Sequence, residues 1–252
     1  MKELSELAKD FVEFFDCDYE YFPNSTYEDV MKRFGDCVKE GKENGYFPVI
    51  VTVDDTLLES FTLNVFDDEE FSLEKVREYR KEYVSKKLED GKSLLAELVK
   101  EKKEEFADDD ISWQEIVGQF EDLGNDKLNS PISFLNYQTD EPEELFIVKV
   151  PVKNSWEIFV WLPMGAWNDC PDTESLMAIS KYWYEQFGAS PIAMTHDVLE
   201  FEVKKIISND ELAMNTAIDM YGFCPDINQN FDTIGKFAGT LVDSSVWYFW
   251  WD

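Results

Sequence analysis

One histidine, four cysteines and 23 basic residues are the scarce items in this 252-residue chain. The lone histidine, His196, excludes any metal motif built on two of them, and no metal site is expected. The cysteines (Cys17, Cys37, Cys170 and Cys224) form no C-x-x-C pair, which suits a reducing cytoplasm. No apolar run approaches the roughly 20 residues that span a bilayer. The opening stretch, MKELSELAKDFVEFF, carries acids where an export signal has a basic start, so it reads as an amphipathic helix of a cytoplasmic protein. Neither G-x-x-x-x-G-K-[ST] nor G-x-G-x-x-G occurs, and no cofactor is expected.

The shortage of cations is severe. Against 23 basic residues stand 54 acidic ones, a net charge of −31. That field opposes nucleic acid and anionic membrane as partners, because each phosphate contact needs Lys or Arg. A basic protein partner fits it, although the same charge also serves solubility alone. Hydrophobic residues still make up 44% of the chain and aromatics 15%, so a core is expected. Seven of the eight tryptophans lie from Trp156 onward, while only six basic residues follow residue 144.

Periodicity divides the chain into elements. Helices are expected over 3–15 and 26–39, the second with Ser25 or Thr26 as cap and a break at Gly41 and Gly45. Asp54 and Asp55 are placed to open a short helix. Residues 67–130, rich in Glu and Lys, read as a charged helical insertion split at Gly91. Its apolar stripe could serve a partner but is the usual mark of packing on the parent domain. Further helices are expected over 172–187, 210–221 and 232–241. Strands are expected over 46–53, 145–151, 157–163, 191–196, 198–203 and 246–251. The fold class is therefore α+β, a mixed central sheet flanked by helices, with 1–66 and 131–252 as parts of one composite domain. The segment 157–196 reads as a right-handed β-α-β unit. The tail WYFWW reads as a central strand covered on both faces.

The tripeptide Cys-Pro-Asp occurs twice, at 170–172 and 224–226. At the first, Asp172 is placed to cap a helix, and a thiol at a helix start has its thiolate favoured. Cys170 as nucleophile, His196 as base and Asp226 as orienter make one candidate catalytic set. Asp172 and Asp226 as paired carboxylates make another. Trp167, Asn168 and Asp172 are candidate binding residues. The bland reading treats both tripeptides as punctuation at helix ends, with Cys170 buried. A calcium loop at 226–237 fails, because Phe231 and Phe237 stand where Gly and Glu are needed. The acidic runs 67–70 and 108–110 read as solvated charge.

Six segments in order carry a resemblance: GYFPVIV (45–51), LPMGAWNDCP (162–171), YWYEQFGASPI (182–192), LEFEV (199–203), FCPDINQN (223–230) and WYFWWD (247–252). Together they resemble the bacterial domain of unknown function 4253. Where that pattern has glycine after its C-P-D-I-x-Q, this chain has Asn230. The resemblance implies a shared fold and a bacterial origin and brings no activity. On residues and charge alone, the expected function is a non-catalytic acidic binding protein, comparable by analogy with immunity proteins that neutralise basic nuclease toxins. The alternative is an enzyme using Cys170 or the Asp172 and Asp226 carboxylates.

Overall fold

A computed structural model describes residues 3–66, 71–124 and 126–252. The acidic run 67–70 lies outside the described residues. In chain order come α1 (Glu6–Phe15), β1 (Tyr19–Phe22), α2 (Tyr27–Asn44), β2 (Phe47–Thr52), α3 (Asp55–Phe66), α4 (Leu73–Ser85), α5 (Gly91–Asp108) and α6 (Trp113–Val117). There follow β3 (Leu145–Val150), a 3-10 helix (Ser155–Val160), α7 (Thr173–Phe187), β4 (Ser190–Met194) and β5 (Val198–Glu202). The chain closes with α8 (Asp210–Phe223), α9 (Ile227–Asn230), α10 (Ile234–Leu241) and β6 (Val246–Trp250). Among the described residues no helix is long and apolar enough to cross a membrane.

The strands form one mixed sheet in the order β1-β3-β2-β4-β5-β6. The β2–β4 pair is parallel, through Ile50↔Ala193 and Val51↔Met194, and the other four pairs are antiparallel. Alternation along the strands sorts side chains to two faces. Val49, Val51, Phe146, Val148, Leu199 and Phe201 join the large core under the helices, whereas Ile50, Leu145 and Ile147 join a smaller one beside α2. The fold is α+β, as the periodicity predicts.

Three expectations are corrected. Residues 157–163 form no strand. Asn154 caps a 3-10 turn there, and Glu157 reaches back to the Asn154 N–H at 3.0 Å, a reciprocal arrangement that starts a helix. The β-α-β unit over 157–196 is therefore absent, and the parallel partner of β4 is β2. The sixth strand is instead β1, whose four residues carry two tyrosines and a glutamate and give no apolar run. The tail strand β6 lies at a sheet edge: Trp247, Phe249 and Trp251 are buried, but Tyr248 is 37% exposed. Small shifts accompany these. Helix α2 runs through Gly41 to Gly45, because Gly41 lies against the Tyr46 carbonyl, where a Cβ would come within 2.3 Å. Thr233, not Asp232, caps α10.

The charged helices are packed into the body. Val76 of α4 and Leu95 of α5 belong to the large core, and Val99 of α5 is buried against Gly222 of α8. On the opposite face Glu200, fully buried, accepts the Ile132 N–H at 2.9 Å and the Ser133 N–H at 3.1 Å, and so anchors the 131–133 loop. Asn230 ends α9 and is not among the residues with positive φ, so no glycine is needed there.

Candidate functional site

Because β2 and β4 run parallel, their C-terminal ends open on the same side of the sheet, the usual place for a cleft beside parallel strands. Past β2, the Asp54 carboxylate accepts the Leu57 N–H at 3.0 Å and starts α3. Past β4, Thr195 ties the turn into β5: its hydroxyl donates to Asp197 at 2.8 Å and accepts the Val198 N–H at 2.9 Å. That turn presents His196. Its Nδ1 lies 3.5 Å from Asp54 and its Nε2 lies 3.6 Å from Asp197. Two chain segments 142 positions apart thus meet at this point.

The third wall is the loop 165–168. Gly165, Ala166 and Asn168 all take positive φ, of 96°, 58° and 45°. For a residue with a Cβ this conformation costs about 1–2 kcal/mol, so the surroundings must impose it. They do. Asn64 on α3 donates to the Pro163 and Gly165 carbonyls at 2.9 and 3.1 Å. The Ala166 N–H reaches Cys170 O at 3.1 Å, and the Cys170 N–H reaches Trp167 O at 3.0 Å. A Cβ on Gly165 would stand 2.1 Å from Pro171 O. Between this loop, α3 and His196 lies a pocket of about 340 Å³. Leu63, Ala166 and Trp167 give it an apolar wall, with Glu59 and His196 as its charged or titratable members. Leu63 is 52% exposed. Such a cavity can hold an aliphatic or aromatic group next to a positive charge.

The sequence-derived candidates separate into four places. Trp167 and His196 share the pocket. Asn168 and Asp226 meet at the chain end: Asn168 Nδ2 donates to Asp252 O, and Asp226 Oδ2 accepts the Asp252 N–H at 3.0 Å. Asp172 caps α7, accepting the Ser175 N–H at 2.8 Å. Cys170 is 4% exposed in the large core, and burial pushes its thiol well above the usual range. The thiolate that a nucleophile needs is thereby disfavoured. Cys224 donates to Trp250 O at 3.0 Å, and burial raises its thiol to about 12. Among the described residues no hydrogen bond joins the side chains of Cys170, His196 and Asp226.

Both tripeptides therefore mark helix ends. The first precedes α7; in the second, Cys224 closes α8 and Asp226 opens α9. What sequence reading misses is the α3 wall. Asp54 registers there only as a helix cap, and Leu63 and Asn64 carry no local signal, since their role depends on a loop a hundred positions away.

Residues 146–252 match the Domain of unknown function (DUF4253). The matched segment supplies the 165–168 loop, His196 and the β6 tail, whereas α3 and Asp54 lie before it. DUF4253 carries no stated activity, so the pocket must be read from its own chemistry. No curated protein and no solved structure matches the chain.

Proposed function

We propose that this protein is a non-catalytic binding protein of the bacterial cytoplasm. Its working site is the pocket between α3, the 165–168 loop and His196, and it receives an apolar side chain carried on a basic protein partner. The observation that carries this reading is the half-exposed Leu63 beside Trp167 over a preformed cavity, in a chain of net charge −31. A solvent-facing leucine at a cavity mouth, with Glu59 in the same lining and a strongly acidic chain around it, suits an anchor that is apolar at its centre and electrostatic at its rim. The long-range field favours fast encounter with a basic surface, and the pocket gives register. In overall character this resembles the acidic proteins that neutralise basic toxins, an analogy of charge and not of fold.

The test is retention of basic proteins on immobilised wild-type and Leu63→Asp protein at low and high salt. Specific retention at low salt, weakened by salt and weakened about tenfold or more by Leu63→Asp, is the expected result. Retention that ignores both salt and Leu63, or no retention of any basic protein, overturns the reading.

A further inference from the structure

Arg80 is a charged side chain in the wrong place for its charge. It is 4% exposed, and among the described residues no carboxylate forms an ion pair with it. Its Nη2 donates to the Phe14 carbonyl at 2.8 Å, and its Nε is buried without an acceptor. The guanidinium lies over the rings of Trp161 and Phe14, 4.9 and 5.7 Å from their centroids. The Trp161 indole N–H is likewise buried without an acceptor. Burial brings Arg80 down to about 10 despite the influence of Cys17 and Asp16, so it still carries its proton at neutral pH. An uncompensated buried cation is costly, and a protein normally supplies a counter-charge.

Here the space for one exists. A pocket of about 350 Å³ is lined by Arg77, Arg80, Lys81 and Val84 from one face of α4, with Asp16 and Trp161. The positions 77, 80, 81 and 84 recur with helical spacing, so α4 turns one cationic face toward the cavity. The one carboxylate in the lining is occupied: Asp16 accepts two hydrogen bonds from Arg77, at 2.7 and 2.9 Å. Three cations against one acid is a reversal in a chain with 54 acids and 23 bases.

We infer that this cavity is a binding site for a small oxyanion-bearing ligand, with Arg80 as the buried counter-charge, Lys81 and Arg77 at the rim and Trp161 as a floor. The ligand's oxyanion group, carboxylate or phosphate, offsets the Arg80 charge. The site is separate from the α3 pocket, and its occupancy stands or falls independently of the partner proposed there.

The experiment is calorimetric titration of the full chain with inorganic phosphate and, in a second arm, with citrate, at ionic strength fixed with chloride. Saturable binding in at least one arm is expected, with the Trp161 indole N–H signal moving in the NMR spectrum. Phosphate alone indicates a phosphorylated ligand, and citrate alone a carboxylate. Lys81→Ala, an exposed change that leaves the core untouched, should weaken affinity by about threefold. Arg80→Met should abolish binding, and its circular dichroism shows whether the fold survives. No saturation with either anion, or affinity unchanged in Lys81→Ala with the Trp161 signal unmoved, overturns the inference.

Discussion

At the scale of single residues, the 165–168 loop shows how a chain can be forced into a costly shape. Gly165 has φ of 96° and Pro171 O directly against its missing side chain. Gly165→Ala should therefore lower stability by about 2–4 kcal/mol, read as a shift in the urea midpoint. Ala166 stands at φ 58° in solvent with no such obstruction. Ala166→Gly relieves the left-handed strain and gives back part of it as unfolded-chain entropy, for a net gain of up to about 1 kcal/mol. Equal and small effects at both positions would show that the loop is not held as described. Glycine in LPMGAWNDCP is visible in the sequence; which of its neighbours shares the left-handed conformation is not.

At the scale of elements, caps explain most of what was legible. Thr26, Asp54, Asp90, Asp172 and Asn209 each accept an N–H from the first turn of a helix. These are short-range bonds between residues three apart, so spacing alone reveals Thr26, Asp54 and Asp172, whereas Asp90 and Asn209 come to light only in the structure. Asp172→Ala should cost about 1 kcal/mol of stability and leave partner retention unchanged, whereas Asp172→Asn should cost only a few tenths. A loss of retention without a loss of stability would make Asp172 a binding residue after all. The same local logic misread 157–163, because WEIFVWL is apolar enough for a strand and the Asn154–Glu157 cap competes with that pattern and prevails. Strand β1 escaped notice for the opposite reason. Its pairing with β3 supplies the stability that four mixed residues do not advertise.

At the scale of the whole molecule, charge sets the dependence on pH. Burial raises the Glu200 carboxyl above its ordinary value, although its bonds to Ser133 and Ile132 pull the other way. Burial likewise raises Asp219. A carboxyl with a raised folded pKa binds protons better in the folded state, so stability gains as pH falls from above that pKa toward 4.5 and is lost again as pH rises. Glu20 behaves oppositely. Burial alone would raise it, but hydrogen bonds from Arg33 and Lys149, at 2.5 and 2.7 Å, lower it, so its contribution fades as pH falls through its folded pKa below 4.5. Relief of repulsion among 54 acids adds to the gain on mild acidification. The expected profile is a melting temperature higher near pH 5 than at pH 8, with a fall below about pH 4. Glu200→Gln should make the gain on acidification smaller, leaving the part that comes from Asp219 and general repulsion, and should leave the acid-side fall. A melting temperature highest at pH 8, or the same rise in Glu200→Gln, would remove Glu200 as a source of it.

By itself the sequence determined the class of the fold, most helix starts, five of the six strands and the burial of Trp247 and Trp251 in the tail. Each of these rests on interactions within a few residues or on a periodicity of apolar side chains, which the order of residues records directly. Trp183 stacking on Phe249 at 5.3 Å, with Trp247 at 5.7 Å, is the packing that such an aromatic-rich tail requires. Only the tertiary structure decided the strand order, the edge position of β6 and the two pockets. Asp54 faces His196, Asn64 holds Gly165 and Arg80 lies on Trp161 across separations of 142, 101 and 81 positions. Contacts of that reach follow from how layers pack, and a linear pattern carries no term for them.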